Sequence, residues 1–215
     1  MEQYILMSDV IKSGEKDQQL LINNLRLCTT YINEKYRDII LSPLTITLGD
    51  EFQGIMDNFE SSIKVILDIE EFIIKNNFPL KLRYVVYLGD IETDINNYIA
   101  YEMLGKGLTQ ARSILNSLKD KDVRFYVDVQ DSPKNNIVNN SFNIYQNIVD
   151  QWKINRDYEL ISALIEFNDY KIVSEKLHKD RSLVWKRNRN LNMSSYHSVK
   201  EVLYTISKFE HEYQL

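Results

Sequence analysis

The chain has 215 residues, of which 44% are hydrophobic and 27% charged, so it has enough apolar material to bury a core. Six glycines and three prolines exclude collagen-like and low-complexity architectures, and the single cysteine, Cys28, excludes an internal disulfide framework. No apolar run reaches about 18 residues, and the start MEQYILMSDV lacks the basic and long apolar segments of a signal peptide. We therefore expect a globular, cytoplasmic protein without a membrane span, in which Cys28 is a small buried hydrophobe.

The net charge of −5 is unevenly distributed along the chain. Residues 1–150 carry a net charge of −7, whereas residues 151–215 carry a net charge of +2. This asymmetry favours two modules with different partners, although chance variation of surface charge explains it equally well.

Strand and helix patterns alternate over residues 1–127. Short apolar or alternating runs bounded by turn residues predict strands, and apolar stripes at helical spacing predict helices. In chain order we expect a strand at 4–7, a helix at about 16–37, a hairpin with strands at 44–48 and 52–56, a helix at about 58–75, a strand at 80–88, a helix at about 107–118 and a strand at 123–127. This β-α-β-β-α-β order with an added α-β pair predicts an α+β domain of the ferredoxin-like type, which polymerase palms and nucleotide cyclases use.

Two acidic residues are expected to meet at one edge of this sheet. Right-handed crossovers make the first two strands parallel and place the third between them, antiparallel to both. Asp9 ends the first strand and Asp50 lies on the turn after the second. Such a pair suits Mg²⁺, which takes one or two protein carboxylates and completes its shell with phosphate oxygens and water. Asp9 and Asp50 are the predicted metal ligands, with Glu51 as a third candidate; alternatively, Asp50 fills a turn and Asp9 caps a loop.

The loop after Asp9 is a candidate phosphate-binding segment. Lys12, Ser13 and Gly14 precede a predicted helix, so backbone N–H groups and the charge of Lys12 form a plausible anion cradle. Arg112, on the helix at 107–118, is either a phosphate contact or an ordinary surface arginine.

A short glycine-containing stretch precedes that helix. Gly105-Lys106-Gly107 either brings the backbone close to a ligand or simply leads into the helix.

The remainder of the chain predicts a linker and an all-α domain. The polar stretch 128–140, DVQDSPKNNIVNN, is the expected linker. Helices are expected at 142–155, 157–167, 170–177, 182–191 and about 195–212 within a helical domain at 141–215. A short helix, a tight turn and a basic helix predict a helix-turn-helix at about 157–191. Its predicted DNA contacts are Arg181, Ser182, Lys186, Arg187 and Arg189. A protein-docking module is the alternative.

Several motifs resemble known families. The string Leu48-Gly49-Asp50-Glu51-Phe52 resembles the GGDEF signature of diguanylate cyclases, with Leu in place of the first Gly. The order of a strand ending in Asp, a Gly-Asp hairpin and a later Ala111-Arg112 helix resembles class III nucleotide cyclases. More specifically, stretches 8–13, 47–54, 89–93 and 107–112, together with the C-terminal helix-turn-helix, resemble the SatD family of small prokaryotic proteins. The resemblance covers nearly the whole chain and implies a cyclase-like domain with a nucleotide-shaped site.

The sequence departs from active cyclases in two respects. Class III cyclases carry an Asn and an Arg that steady the transition state, whereas Thr109-Gln110-Ala111-Arg112 supplies the Arg, shifted by one, and no Asn. Diguanylate cyclases would show a guanine-reading Asn and further acidic metal residues near the first strand, where only Asp9 stands. The resemblance thus supports the fold and a nucleotide site better than it supports turnover.

We therefore expect a cytoplasmic regulatory protein whose first domain senses a nucleotide with Mg²⁺ and whose second domain contacts DNA. One alternative is an active nucleotidyl cyclase or nucleotidyltransferase, in which metal coordination activates a ribose hydroxyl. Another is a degenerate palm that serves as a dimerisation scaffold. Because cyclase sites often form between two protomers, a homodimer is also compatible with the first two interpretations.

Overall fold

A computed structural model describes residues 1–209, which form a five-stranded mixed sheet and eight α-helices. The strands are β1 Glu2–Val10, β2 Ile40–Ile46, β3 Glu51–Met56, β4 Leu82–Asp90 and β5 Phe125–Asp128. The helices are α1 Gln18–Lys35, α2 Phe59–Lys75, α3 Lys106–Ser117, α4 Ser132–Val149, α5 Ile154–Phe167, α6 Tyr170–Lys176, α7 Arg181–Asn190 and α8 Met193–Lys208. The predicted order of elements is confirmed through β5, with boundaries shifted by a few residues.

The sheet has the strand order β2-β3-β1-β4-β5. β3 lies between β1 and β2 and is antiparallel to both, so β1 and β2 are parallel, as predicted. β4 pairs antiparallel with the other side of β1, and β5 adds in parallel to β4. The end of β1 and the turn between β2 and β3 consequently share one edge of the sheet.

Helices cover both faces of the sheet. Leu6 and Val10 of β1 belong to the core that includes α1 and α2, whereas Ile5 and Met7 belong to the core beneath α3. This division follows from the two-residue period of a strand, which sends alternate side chains to opposite faces. By the same alternation, Asp9 faces the α3 side.

Residues 128–140 are not a linker. Asp128 ends β5, and α4 starts at Ser132, where the side chain of Asp131 accepts a hydrogen bond from the Lys134 N–H and caps the helix. The helix predicted at 142–155 is the second half of α4, which ends at Val149, and the helix predicted at 157–167 corresponds to α5.

Two asparagines of this polar stretch form hydrogen bonds with the backbone of the outermost strand and of the residue after it. Asn139 accepts a hydrogen bond from the Val127 N–H and donates to the Val127 carbonyl, both at 2.8 Å. Asn135 accepts from the Val129 N–H at 2.9 Å. Since no described strand lies beyond β5, the Asn139 amide takes the place of a neighbouring strand for its backbone, and the Asn135 amide does so for the residue that follows the strand.

The helices that follow β5 share a core with the sheet. Phe142 of α4 stacks on Phe125 of β5, with ring centroids 4.7 Å apart, and Phe125 stacks on Tyr84 of β4 at 5.3 Å. The Tyr196 hydroxyl of α8 donates to Glu71 of α2 at 2.9 Å. One cluster of buried side chains includes members of β1, α2, β4, β5 and α4 through α8. Packed side chains, rather than an extended segment, therefore join the sheet to the C-terminal helices.

A buried ion pair lies within this shared core. Arg124, only 4% exposed, donates to both carboxylate oxygens of Glu70 at 3.1 and 2.9 Å and to the Leu82 carbonyl at 2.9 Å. Asp150 lies 3.0 Å from the same guanidinium, and the Tyr84 hydroxyl donates to Glu70 at 2.9 Å. This network connects α2, β4, the residue before β5 and the end of α4. Disrupting it is costly because its charges have little access to water.

Three further sequence expectations can be compared with the described residues. Cys28 is fully buried on α1, as expected. The predicted last helix at 195–212 begins earlier, as α8, and its end beyond residue 209 lies outside the described residues. Within residues 1–209, none of the helices combines the length and apolar character that a membrane crossing requires.

Candidate functional site

The candidate site is built on three charged residues that lie side by side across the sheet. In the strand register, Asp9 of β1 is opposite Glu51 of β3 on one side and Arg83 of β4 on the other. Asp9 is 3% exposed, Glu51 6% and Arg83 8%. We call these residues the charged row. Burying three charges is costly unless each is paired, so their partners define the site.

The hairpin turn brings Asp50 to the charged row. Gly49 has a φ of 83°, a conformation that favours glycine, and the chain reverses there. The Val10 N–H donates to the Asp50 carbonyl at 2.9 Å, which ties the turn to the end of β1. The half-buried Asp50 carboxylate lies near enough to Asp9 to affect its ionisation. The predicted convergence of Asp9 and Asp50 at one edge of the sheet is confirmed.

α3 and the turn after it supply two cations to the charged row. Arg112 donates to Glu51 at 2.5 Å and to Oε1 of Gln53 at 3.2 Å. The ammonium of Lys119 lies 3.8 Å from Oδ2 of Asp9 and 3.7 Å from Oε1 of Glu51. The charges of the two carboxylates are thus balanced by cations from the helical layer that covers this face of the sheet.

Asp9 has one paired and one unpaired carboxylate oxygen. Oδ2 accepts a hydrogen bond from Arg83 at 2.9 Å, whereas Oδ1 is buried and accepts none from the residues that the structure describes. Burial raises the pKa of Asp9 to about 6, although Arg83 and Lys119 act in the opposite direction. A buried carboxylate oxygen without a partner calls for a cation or an ordered water.

An open cavity of about 760 Å³ adjoins the charged row on the α3 face of the sheet. Arg112 lines the cavity and donates a hydrogen bond to Glu51 of the charged row. Gln53, which also lines the cavity, accepts a hydrogen bond from Arg112. The other lining residues come from β1, the β2–β3 turn, the segment 101–104 and α3. They are Met7, Thr47, Leu48, Tyr101, Glu102, Met103, Leu104, Leu108, Thr109, Ser113 and Asn116. The cavity therefore has an apolar wall, a polar helix face and a charged end.

Gly105 and Gly107 allow α3 to approach β4 closely. A Cβ atom on Gly107 would lie 2.6 Å from the carbonyl carbon of Gly89, and one on Gly105 would lie 2.4 Å from the carbonyl oxygen of Asp90. Real Cβ atoms do not come so near to backbone, so both positions need glycine for packing. Of the two sequence interpretations, the lead into a helix is confirmed, since Gly105 is the N-cap of α3.

The predicted phosphate loop follows β1 directly but does not open an α-helix. Ser13–Glu15, with Gly14 at its centre, forms one 3₁₀ turn, and Lys12 before it has a left-handed φ of 55°. The Lys12 ammonium lies 3.8 Å from Glu15. α1 begins later, and its first turn is capped by Asp17. The loop therefore leads into a 3₁₀ turn rather than directly into the predicted α-helix.

The predicted DNA-contact residues lie on α7, in the core layer opposite α3. Arg181, Ser182, Lys186 and Arg189 are exposed, and the guanidinium of Arg189 lies 5.1 Å from the centre of the Trp185 ring. Arg187 differs from them, because it forms an ion pair of 2.5 Å with Asp157 of α5. The structure thus separates these five residues from the charged row.

Sequence reasoning missed Arg83, Gln53 and Lys119. Arg83 had a signal, since it is a lone charge within the apolar strand 82–88 and is placed opposite Asp9 by the register. Gln53 shares the alternating face of β3 with Glu51. Lys119 lies in a turn after α3, and its contact depends on how that helix crosses the sheet. No local pattern indicates this crossing.

The carboxylate oxygens near the charged row could hold only a cation that needs few protein ligands. Among residues 1–209, no group of three or more His, Cys, Asp or Glu side chains is arranged to hold a metal ion. Oδ1 of Asp9 and the carboxylate of Asp50 fit Mg²⁺, which accepts one or two protein carboxylates when phosphate oxygens and water complete its shell.

Together, the strand order, the hairpin turn and the buried carboxylate define an α+β protein with a split β-α-β sheet and an acidic site at its edge. The chain belongs to the SatD family, whose model matches residues 4–204. A search of curated proteins finds no significant match.

Two solved structures of a bacterial light-regulated adenylyl cyclase are similar to this chain. Each is 15% identical to it, with a TM-score of 0.41, and the match covers 59% of this chain. It covers 43% of one cyclase chain and 42% of the other, so this chain spans about two fifths of their length.

Proposed function

We propose that this protein is a cytoplasmic regulator that binds a nucleoside triphosphate with Mg²⁺ at the charged row and the adjoining cavity. The observation that carries the proposal is the buried, unpaired Oδ1 of Asp9. Lys119 lies near the other oxygen of the same carboxylate, and Arg112 pairs with the neighbouring Glu51. An unpaired anionic oxygen suits a metal ion, and cations at an open edge suit the phosphates that such an ion accompanies.

Each residue of the site has a distinct role in this proposal. Asp9 and Asp50 would hold Mg²⁺, which supplies neutralisation of phosphate charge when bound. Glu51 is less suited to the metal because it already accepts a 2.5 Å hydrogen bond from Arg112. Arg112 orients the phosphate chain with its planar guanidinium. The loop at 12–14, in which Lys12 precedes the 3₁₀ turn and Ser13 and Gly14 begin it, is proposed to contact the outer phosphates.

The cavity offers room for the base and ribose. Met103 and Leu108 supply apolar surface for a flat ring, while Thr109, Ser113 and Asn116 present hydrogen-bonding groups along one face of α3. A few polar groups in a largely apolar cleft are typical of sites for small organic ligands.

Thermal unfolding with a panel of nucleoside triphosphates, with and without Mg²⁺, tests the proposal. A nucleotide at about 100 times its dissociation constant should stabilise the fold by about 2.7 kcal/mol. Asp50→Asn should abolish the Mg²⁺-dependent part of this shift while leaving the Val10 hydrogen bond, which uses the Asp50 backbone. Asp9→Asn should do the same, but it also leaves the buried Arg83 without its carboxylate.

Asp38→Asn is the matched control, because Asp38 is exposed and precedes β2 at the opposite edge of the sheet. It should keep the full shift. No shift in the wild-type chain with any nucleotide would contradict the proposal and leave the scaffold interpretation. Release of pyrophosphate that stops in Asp50→Asn would instead favour the cyclase or nucleotidyltransferase interpretation.

A second candidate function is DNA binding through a helix-turn-helix formed by α6, the turn at 177–180 and α7. It is supported by the exposed basic residues Arg181, Lys186 and Arg189, none of which forms an ion pair with a described carboxylate. These side chains are free to meet phosphates and base edges. Arg187 is less available because of its contact with Asp157.

Retention on duplex DNA at increasing salt tests this second function. We expect wild-type binding at about 50 mM salt that falls steeply with salt concentration, and a shallower slope for the double variant Lys186→Ala/Arg189→Ala. Lys121→Ala, an exposed lysine after α3, is the control and should behave as wild type. Failure of the wild-type chain to bind at low salt would eliminate the DNA-binding function.

A further inference from the structure

The three cations of the site differ in how firmly they are held. Arg83 donates a 2.9 Å hydrogen bond to Asp9, and its side chain is 10% exposed. Arg112 donates to Glu51 at 2.5 Å and to a second acceptor. Lys119 is 45% exposed, and both of its carboxylate contacts exceed ordinary hydrogen-bond length. Lys119 is therefore the cation that can leave at the lowest cost.

Lys119 also has a distinctive position. Its ammonium is nearly equidistant from Asp9 on β1 and Glu51 on β3, at 3.8 and 3.7 Å. It approaches Asp9 at Oδ2, the oxygen that Arg83 also contacts, while Oδ1 remains unpaired. A lysine is a compact point charge on a flexible stem, and this one lies in the turn after α3 rather than within the helix. The ammonium thus lies between the carboxylates of two neighbouring strands.

Charge balance makes this lysine important for cation binding. Asp9, Asp50 and Glu51 are matched in number by Arg83, Arg112 and Lys119. A divalent cation that enters alone adds uncompensated positive charge a few ångströms from an ammonium, and this repulsion is strong where water is scarce. A polyphosphate that enters with the cation reverses the balance, because it brings more negative charge than the cation neutralises.

We propose that Lys119 is a resident cation that blocks the carboxylates to a free divalent ion and moves to the phosphates when a metal–polyphosphate complex binds. This inference rests on the proposed function and deepens it. Lys119 makes metal binding conditional on the nucleotide, so that the site responds to the complex rather than to the free ion. The same residue opposes the free metal and assists the phosphates.

The two opposite effects are measurable separately. Mn²⁺, which reports its free concentration by electron paramagnetic resonance, is titrated into wild-type protein and Lys119→Met, with and without inorganic tripolyphosphate. Lys119→Met should bind Mn²⁺ alone at least about tenfold more tightly than wild type, since one nearby positive charge is lost. In the presence of tripolyphosphate the order should reverse, and Lys119→Met should bind the complex more weakly. Lys121→Met, with an exposed side chain two residues later, should match wild type in both titrations.

A general loss of structure cannot produce tighter binding of one ligand and weaker binding of another. If wild type and Lys119→Met bind Mn²⁺ equally, or if both affinities change in the same direction, the proposal for Lys119 is wrong although the site remains. If neither protein binds Mn²⁺ or its tripolyphosphate complex, the proposed function fails and the inference fails with it.

Discussion

Glu70→Ala is expected to lower the free energy of unfolding by about 3–5 kcal/mol, because it leaves the buried Arg124 guanidinium without its main partner. Asp150 and the Leu82 carbonyl would still contact Arg124, but neither replaces the two hydrogen bonds to the Glu70 carboxylate. Urea unfolding followed by circular dichroism measures the change. For a chain of this size, each kcal/mol also corresponds to about 2–4 °C in melting temperature.

A double variant distinguishes the loss of the Glu70–Arg124 ion pair from the loss of side-chain packing around it. Glu70→Gln/Arg124→Met removes both charges and keeps side chains of similar length, so it should cost clearly less than the sum of the two single changes. Glu34→Ala, on the exposed side of α1, is the control and should stay within about 0.5 kcal/mol of wild type. Additive single effects would show that the two charges do not depend on each other.

Phe142→Ala is expected to cost about 3–5 kcal/mol, the range for a fully buried phenylalanine. Its ring stacks 4.7 Å from Phe125 and meets Tyr145 edge-on, with centroids 6.4 Å apart, so truncation leaves a void between β5 and the helical layer. The measurement is again urea unfolding. The size of the effect depends on how far the neighbouring aromatic rings can move into the space.

Ile144 provides the comparison on the same helix. Its side chain is 54% exposed, and Ile144→Ala should change stability by no more than about 0.5 kcal/mol. A loss below about 1 kcal/mol for Phe142→Ala would mean that α4 is peripheral to the core, as a linker would be.

The topology of the sheet could be predicted because few arrangements satisfy the element order. Once the crossovers are right-handed, the arrangement of the first three strands follows, and with it the meeting of Asp9 and Asp50. That prediction needed only the residue at the end of one strand and the residue on one turn. It did not need the exact strand boundaries, several of which shifted.

The helix α4 could not be recognised from composition. Clustered Asn residues ordinarily favour turns, because their side chains compete with backbone hydrogen bonds. In this chain Asn139 bonds to the backbone of β5 instead, and Asn135 bonds to the backbone of Val129, the residue that follows it. Their side chains thus form hydrogen bonds with backbone groups outside the helix, and the local sequence does not reveal this pairing. The role of Lys119 escaped prediction for a similar reason, since its two carboxylate contacts lie far from it in sequence.

The shared core also limits how the chain can be divided and recombined. The sheet does not end in a self-contained surface at residue 127, because Phe125 and Val127 belong to the same buried cluster as Phe142 of α4. Cutting the chain there would turn that internal contact into an apolar patch facing water. A designer who wished to transfer the charged row to another protein would have to carry α4 through α8 with it. The sheet and the C-terminal helices therefore form one structural unit and cannot be exchanged separately.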